Sequence, residues 1–576
     1  MGRRAHTTAT ERTLHDQTNI LPWGKLIVVF ITLSITLLIT FIDQNGISVM
    51  LPTVAADLDA RDTISWAGTA SLIANTTFQM LYGRLSDIFG RKAVYLGAVA
   101  ILVLADLLCG LVRSAPAFYA LRGLAGVGGG GITNLSMIIV SDVVTLEQRG
   151  RYQGIIGATV GLGNVAGPFL AAAFIEAAGT WRAFFYLLAP LGLIAGVISF
   201  FLLPSQPPKG GMCENLAKID YMGSFTSSAA VMLLLIPISG GGSYFQWNSP
   251  MVISMLAIGS CSLIAFIFVE WKLAKLPMMP CRTNDTLTSV AVSIFNKQAV
   301  VAMLVQSFLL GSVYQSYLYY LPMYLQNARG FSPIMSAAIA VALVGMQTLA
   351  SVLSGQYISF KKRYGEVIWL GFGLWTLGAG MALLYSRTSS PGVIVIPLLV
   401  IGFGVGCVFQ PILVALQAHS LKAHRAVIIS NRNFFRCAGG ACGLAVSAAV
   451  LQATLRAKLP SQYAHLAKDT YSLPEDLPSE AMASVLGAYM AASRAVFIMQ
   501  VPLIGVCFLG CALIKDRGLE PPEDEDEKTA VDDANGTSEK ISSVGSGNLL
   551  KDSDNNEAGY DRPRRTGRCE KEKASA

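Results

Sequence analysis

Long apolar segments follow one another along most of this sequence, separated by short polar breaks. The first covers residues 26–42, and the last ends at residue 514. An apolar helix of about 20 residues crosses the hydrocarbon core of a bilayer. Only 14% of the 576 residues are charged, whereas soluble proteins carry about a quarter. The pattern therefore predicts an all-α polytopic membrane protein.

The segments indicate how often the chain crosses the membrane. They lie at 26–42, 64–83, 93–112, 117–141, 152–176, 183–203, 221–269, 298–325, 333–358, 367–386, 392–418, 433–455 and 485–514. The block 221–269 is too long for one crossing and is interrupted at 239–243 and 248–250. Two helices are predicted there, which brings the total to about fourteen.

The breaks between the segments differ in charge. Lys and Arg collect in the cytoplasmic loops of membrane proteins. With the N-tail (1–25) inside, the even-numbered breaks are the basic ones, and they contain Arg84, Arg91, Lys92, Arg149, Arg151, Lys209, Lys218, Lys272, Lys275, Arg282, Lys297, Lys361, Lys362, Arg363, Lys422, Arg425 and Arg432. The bias predicts that both termini are cytoplasmic. The C-tail (516–576) has the polar composition of a disordered segment.

The break after the second segment reads Gly83-Arg-Leu-Ser-Asp87-Ile-Phe-Gly90-Arg91-Lys92. Glycines stand at both ends of a tight turn, and charges lie where two helices meet the cytoplasm. This stretch resembles the loop motif of the major facilitator superfamily, which is Gly, any, Leu, small, Asp, any, any, Gly, Arg, and Lys or Arg. An ordinary positive-inside loop explains the basic residues but neither the glycines nor the aspartate.

The resemblance implies the fold of that superfamily. Two six-helix halves would occupy residues 26–203 and 298–515, and two extra central helices would lie within 217–271. Transporters built from such halves carry substrate by alternating access.

The resemblance also implies a cytoplasmic gate. Asp87 would meet a helix N-terminus near Ser430, where an anion is favourable by about 0.3–1 kcal/mol. Arg91 would pair with Asp142 at the end of the fourth segment. Gly83, Gly90 and Lys92 complete the motif. These contacts would hold the cytoplasmic side shut and break as the halves rock.

A stretch from Asp43 to Pro52 is similar to a motif of the fourteen-span drug:proton antiporter branch, the fungal-type multidrug and toxin efflux transporters. Asn45 and Ser48 stand where that motif usually has Thr and Asn. A carboxylate inside a span is costly and marks a functional hypothesis. The resemblance implies that Asp43 takes part in proton coupling. The alternative is a solvated aspartate near the outer end of its helix.

Arg122 and Gly126 resemble the Arg-x-x-Gln-Gly motif of the same family, in which a buried arginine assists proton transfer; Ala125 replaces the glutamine. Asp106 is a second acid within a span. It is a candidate for the proton path, and pairing with a neighbouring helix is its alternative role.

The fifth segment contains glycines at short spacing and ends in Gly163, Gly167 and Pro168. It resembles a motif found mostly in exporters. Glycines let helices approach closely and proline bends a helix, so generic packing is the alternative interpretation.

Polar and aromatic side chains in the second half are candidates for a substrate cavity, although most such residues in spans serve packing. They are Gln306, Tyr314, Gln315, Gln347 and Gln410. The five histidines do not cluster and the cysteines are scattered, so no metal site and no cofactor are predicted. No catalytic constellation is present, and no enzymatic activity is expected.

These features together predict a proton-driven antiporter that exports small organic molecules such as drugs, toxins or secondary metabolites. Its partners would be the small-molecule substrate, protons and the lipid bilayer, with no nucleic acid and with the chain acting as a monomer. The expected location is the plasma membrane, and the vacuolar membrane is the alternative. One alternative function with the same fold is a vacuolar transporter of basic amino acids or siderophores. An alternative of another class is a membrane sensor that lost transport.

Overall fold

The structure is a computed structural model. It describes residues 22–60, 63–64, 66–204, 215, 219–241, 245–272, 298–420, 425–460, 462–463, 479–516 and 518–519. The predicted N-tail, nearly all of the C-tail and the basic residues Lys209, Lys218, Lys275, Arg282, Lys297 and Lys422 lie outside the described residues.

The described residues form fourteen long helices. The first eight are α1 (Trp23–Asp57), α2 (Trp66–Phe89), α3 (Arg91–Leu111), α4 (Ala115–Val143), α5 (Leu146–Ala178), α6 (Arg182–Leu202), α7 (Tyr221–Gly240) and α8 (Pro250–Lys272). The others are α9 (Gln298–Met323), α10 (Pro333–Lys361), α11 (Gly365–Met381), α12 (Pro391–Ala418), α13 (Arg425–Lys458) and α14 (Ser479–Gly510). Helix α12 is interrupted at Gln410, which precedes Pro411.

Thirteen of these helices are long and apolar enough to cross a membrane. The fourteenth, α2, is more polar because Thr76, Thr77 and Gln79 are buried in its interior and Arg84 and Asp87 near its end. Among the described residues the only β-pairing is one isolated bridge between Gly241 and Phe245. The predicted all-α polytopic fold with about fourteen helices, two of them between residues 221 and 272, is confirmed.

Two helices extend beyond the apolar segments that predicted them. Helix α1 does not end at residue 42 but runs for 35 residues, so that Asp43 and Pro52 lie inside it. Helix α13 begins at Arg425, not near residue 433. Arg432, which counted as a basic loop residue in the sequence, is therefore inside a helix, where its side chain is 0% exposed.

The helices form two groups of six, α1–α6 and α9–α14, and many of the contacts within each group join helices that are not neighbours in the chain. Helix α1 packs on α5, α2 on α4, and α3 on α4 and α6; in the second group α9 packs on α13, and α12 on both α10 and α11. Contacts between the groups run mainly through two pairs, α5 with α10 and α2 with α13. Helix α7 packs on α8 and also on α2 and α13.

Glycines bring α5 and α10 into backbone contact. A Cβ atom on Gly154 would lie 2.5 Å from the carbonyl oxygen of Ser351, and one on Gly355 would overlap the carbonyl of Gly150. The Ser351 hydroxyl donates a hydrogen bond of 3.2 Å to the carbonyl of Gly154. Small residues permit this approach, which gives dispersion contacts and weak hydrogen bonds where lipid offers no hydrophobic drive.

Replacement of Gly355 by valine should separate α5 from α10. We expect Gly355→Val to lower the free energy of unfolding by about 1–3 kcal/mol, because the added side chain meets backbone atoms that have no room to move. Gly345→Val in the same helix is the control, since nothing lies within 4 Å of a Cβ at Gly345. Thermal unfolding of the purified protein in detergent measures the difference, and equal melting temperatures would contradict the predicted contact.

Candidate functional site

A buried ionic cluster joins helices α1, α3 and α4. Arg122 donates from Nη1 to Oδ1 of Asp43 over 2.7 Å and from Nη2 to Oδ2 over 3.2 Å. Oδ1 of Asp106 lies 3.8 Å from Nη1 of the same guanidinium. The three side chains are at most 2% exposed. The sequence-predicted coupling residues Asp43, Arg122 and Asp106 thus lie together.

The surroundings of this cluster are apolar. The Arg122 guanidinium lies 5.8 Å from the centre of the Phe185 ring, and Phe185 packs in turn on Phe118 and Trp181. Asp43 is therefore not solvated at the end of a helix, which rules out the alternative raised by the sequence. Asp106 pairs with a residue of a neighbouring helix, which was the alternative role considered for it, and that residue is Arg122, the partner of Asp43.

The charges in the cluster do not balance when both carboxylates are ionised. One guanidinium faces two carboxylates, and Oδ1 of Asp106 has no hydrogen-bond partner among the described residues. Burying unpaired charge is expensive. One proton shared by the two carboxylates makes the cluster neutral, so the arrangement is chemically able to take up and release a proton.

A second ionic cluster lies where α2, α3 and α4 end or begin. Arg91 contacts Asp87 (Nη1 to Oδ1, 2.6 Å) and Asp142 (Nε to Oδ2, 2.9 Å), and it donates to the Ser86 hydroxyl over 2.6 Å. Gly90 caps α3 with φ 89°, a conformation that L-residues rarely adopt. The structure brings the predicted pair Arg91 and Asp142 together.

Gly83 lies inside α2 and not at one end of a tight turn as the sequence suggested, and it places the last turns of α2 against the first turns of α13. A Cβ atom on Gly83 would overlap the hydroxyl of Ser430 and would lie 3.2 Å from the carbonyl oxygen of Ala426. The motif lies beside the first turns of that helix through Gly83, and the contact of Asp87 with a helix N-terminus stays a prediction.

A buried amide bridge, which sequence reasoning missed, also joins the two groups of helices at this end. Asn134 of α4 donates to the Ser430 hydroxyl over 2.7 Å and accepts from Asn433 Nδ2 over 3.0 Å. All three side chains are at most 1% exposed. An asparagine inside the glycine-rich fourth segment was the one available signal, since a buried amide needs partners.

The residues of the predicted exporter motif face a different helix from the rest of the α5 glycines. A Cβ atom on Gly163 would lie 2.6 Å from Cβ of Phe41, and one on Gly167 would lie 2.8 Å from the carbonyl oxygen of Ile42. Pro168 lies inside α5. Gly163 and Gly167 therefore serve the contact of α5 with α1 inside the first group of helices.

Three of the five predicted cavity residues gather around Phe409, at the interruption of α12. The rings of Tyr314 and Phe409 are 5.3 Å apart, Gln347 is close to the Tyr314 hydroxyl, and Gln410 follows Phe409 in the chain. The side-chain carbonyl oxygens of Gln347 and Gln410 have no partner among the described residues.

The first group of helices reaches this region through two asparagines. Asn164 of α5 donates to the Tyr314 hydroxyl over 3.4 Å, and Asn45 of α1 donates to Asn164 over 2.9 Å. Gln315 is partly exposed beside Gly440 of α13. Gln306 lies elsewhere: it donates to the carbonyl of Cys507 over 2.8 Å and lines a groove between α9 and α14.

Two arginines of α13 complete the region and were not singled out as site residues. The guanidinium carbons of Arg432 and Arg436 lie 5.3 and 5.4 Å from the centre of the Phe409 ring. Arg436 falls inside the apolar segment 433–455. A charged residue within a span was the signal that should have identified it.

The described part of the chain has fourteen long helices, and two groups of six meet around a polar centre with ionic clusters buried in the bundle. This architecture is that of a polytopic membrane transporter. A family model described as Major Facilitator Superfamily matches residues 33–444. The chain belongs to that superfamily.

Fungal transporters are among the most similar relatives. Citrate exporter 1 of Yarrowia lipolytica is 51% identical over 518 residues, which are 88% of this chain and 75% of the relative. The MFS-type transporter clz4 of Cochliobolus lunatus is 43% identical and covers 91% and 92% of the two chains. Efflux pump dotC of Dothistroma septosporum is 31% identical, with 72% and 70% covered.

A solved structure supports the fold. The human organic anion transporter MFSD10 (TETRAN) superposes with a TM-score of 0.57 over 85% of this chain and 100% of its own. Sequence identity is 14%, so this likeness concerns the helical architecture alone.

Arg91 is the cation that joins both carboxylates of the second ionic cluster, and its removal should be costly. We expect Arg91→Gln to destabilise the protein by about 3–5 kcal/mol, because Asp87 and Asp142 are then buried near each other without it. Arg363→Gln is the matched control: the side chains of Arg363 and Glu366 are 68% and 54% exposed, and such surface pairs contribute about 0–1 kcal/mol. Thermal unfolding in detergent compares the two, and a control that melts as early as Arg91→Gln would refute the interpretation.

Proposed function

We propose that this protein is a proton-coupled secondary active transporter that exports small organic molecules from the cytoplasm. The observation that carries the proposal is the cluster of Asp43, Asp106 and Arg122, which holds two carboxylates and one guanidinium away from water. No helix-packing requirement explains such a cluster, because apolar side chains fill a helix interface at lower cost.

The coupling step follows from charge balance. With both aspartates ionised, the cluster carries a net negative charge that favours proton uptake. One proton neutralises it, and the remaining carboxylate stays paired with Arg122. Helices α1, α3 and α4 carry these groups, and α1 also packs on α5, which contacts the second group of helices. A change in the α1 contacts on protonation can therefore reach the interface between the groups.

The gate is assigned to the end of the bundle that carries the motif from Gly83 to Lys92, at the junction of α2 and α3. With that junction at the cytoplasm, the bridge of Asn134, Ser430 and Asn433 and the close contact of Gly150 with Gly355 close the cytoplasmic side. The cluster of Asp87, Arg91 and Asp142 braces the loop in this conformation. Opening toward the cytoplasm requires that α2 leaves α13 and α5 leaves α10.

Two observations support export. The glycines and proline of α5 match a motif found mostly in exporters, and two of the relatives above carry the words exporter and efflux pump in their names. Those names also widen the range of cargo, since one is a citrate exporter. Drugs, toxins and secondary metabolites on one side and small organic acids on the other are therefore the candidate substrates.

We place the protein in the plasma membrane as a monomer with both termini in the cytoplasm. The basic residues at the α2–α3 and α10–α11 connections support this orientation. A vacuolar transporter of basic amino acids or siderophores is the alternative with the same fold. A sensor without transport is the alternative of another class, and an intact proton-binding cluster speaks against it.

Asp43→Asn should abolish proton-driven transport. The amide keeps the shape of the carboxylate but neither binds nor releases the coupling proton, so we expect accumulation driven by a pH gradient to fall by about tenfold or more. Proteoliposomes with an imposed pH gradient measure it, with radiolabelled citrate and a fluorescent amphiphilic drug as two alternative substrates. Exchange of labelled for unlabelled substrate without a gradient should persist.

Glu147→Gln provides the matched control, since that carboxylate is 53% exposed and pairs only with Lys362 among the described residues. Full gradient-driven accumulation by Asp43→Asn would remove Asp43 from the coupling step. Wild-type accumulation that persists after the pH gradient is collapsed would contradict proton coupling itself.

A further inference from the structure

The two arginines of α13 lie in the polar centre without any role in the proposed coupling or gating. We propose that Arg436, supported by Arg432, forms an anion-binding site for the transported molecule, and that this molecule is a small organic acid with at least two carboxylates. The inference rests on the proposed transport function and names its substrate class.

The two guanidinium groups share one aromatic platform. They are four residues apart on α13, so they project from the same face of the helix, and both lie within 5.4 Å of the Phe409 ring centre. Like charges at this spacing repel each other. A cation over a ring face recovers only part of that cost.

No carboxylate compensates these charges in the described part of the chain. Arg84, Arg91, Arg122, Arg182 and Arg363 each have an aspartate or glutamate within 4.0 Å. Neither Arg432 nor Arg436 forms an ion pair with a carboxylate of the described residues. A buried charge is normally paired, so an anion from outside the chain is the group that this region lacks.

The two arginines differ in their local roles. Arg432 is 0% exposed and donates from Nη2 to the carbonyl of Phe409 and from Nη1 to Oδ1 of Asn433 over 3.0 Å. It therefore ties α13 to the interruption of α12. Both acceptors are neutral, a backbone carbonyl and an amide oxygen, so these hydrogen bonds do not compensate the charge of Arg432.

Arg436 has no comparable structural task. Its one hydrogen bond to a described residue goes to the sulfur of Cys437 over 3.4 Å, and Nε has no partner there. The side chain is partly exposed, and it lies about 16 Å along the helix from Arg425, at which α13 begins. Arg436 is thus the group that a ligand in the central region can reach.

The neighbouring groups fit the rest of an organic acid. A guanidinium binds a carboxylate through two parallel hydrogen bonds. Tyr314, Gln347 and Gln410 supply a hydroxyl and two amides around Phe409, and the free amide oxygens can accept from a hydroxyl or a protonated carboxyl group. One carboxylate would neutralise only one arginine. Only Arg436 is exposed to a ligand, but the charges of both guanidinium groups act on it, so a ligand that carries two negative charges on at least two carboxylates balances the region best.

The test is equilibrium binding of radiolabelled citrate to the detergent-purified full-length protein, followed by transport in proteoliposomes. We expect the wild type to bind citrate, and unlabelled succinate, a dicarboxylate, to compete for the site. Arg436→Gln should weaken citrate binding by about tenfold or more, because it removes a charge-assisted contact. Arg436→Lys keeps the charge without the planar fork and should restore part of the affinity.

Arg456→Gln is the matched control, since Arg456 is exposed at the far end of the same helix; it should bind citrate as the wild type does. Thermal unfolding and gel filtration establish that Arg436→Gln is folded. Absence of citrate binding by the wild type, or unchanged binding by a folded Arg436→Gln protein, overturns the anion site. Citrate binding that depends on Arg436 but is accompanied by no transport leaves the site in place and contradicts the transport function.

Discussion

Backbone contact at glycine is the interaction on which the arrangement of the helices depends. Apolar helices gain little from meeting each other in lipid, so close packing and interhelical hydrogen bonds must hold them together. Helix α5 has two glycine faces: Gly163 and Gly167 lie on α1, and Gly150 and Gly154 lie on α10. The same helix therefore fastens the first group of six together and forms the boundary with the second. A motion that separates the groups breaks only one of these faces.

Two buried clusters, one in each group of helices, carry unbalanced charge of opposite sign. In the first group, Asp43 and Asp106 outnumber Arg122, which leaves one negative charge. In the second, Arg432 and Arg436 leave positive charge beside Phe409. Under the proposed function, each imbalance matches a species that the transporter would carry, a proton in one case and an organic anion in the other. Burying unbalanced charge costs stability, and in both clusters a bound proton or anion would remove that imbalance.

The sequence predicts those site residues that a local motif or an unusual residue type marks, and it does not predict contacts between distant positions. The pairing of Arg91 with Asp142 was predicted, and Asp43, Arg122 and Asp106 were each singled out, because a motif or an acid in an apolar span marks each residue; that the three side chains meet was not predicted. The bridge from Asn134 to Asn433 joins positions 299 residues apart, a contact that no local pattern reports. Gln306 was placed in the cavity although it faces a groove between α9 and α14, since a helix that is apolar all round does not reveal which face points inward.

The two ionic sites have separable energetic consequences. A negative potential inside the cell drives anions outward, by about 2.3 kcal/mol per charge for each 100 mV. A polycarboxylate therefore leaves the cytoplasm downhill in potential even without a pH gradient, whereas a neutral or cationic drug does not. For an anionic cargo, the proton proposed to bind at Asp43 and Asp106 would then be needed mainly to return the empty carrier, because it would cancel the net negative charge of that cluster during this step. Loss of the coupling carboxylate should consequently impair export of a cation more than export of a polycarboxylate, which links the sign of the α13 charges to the demand for protons.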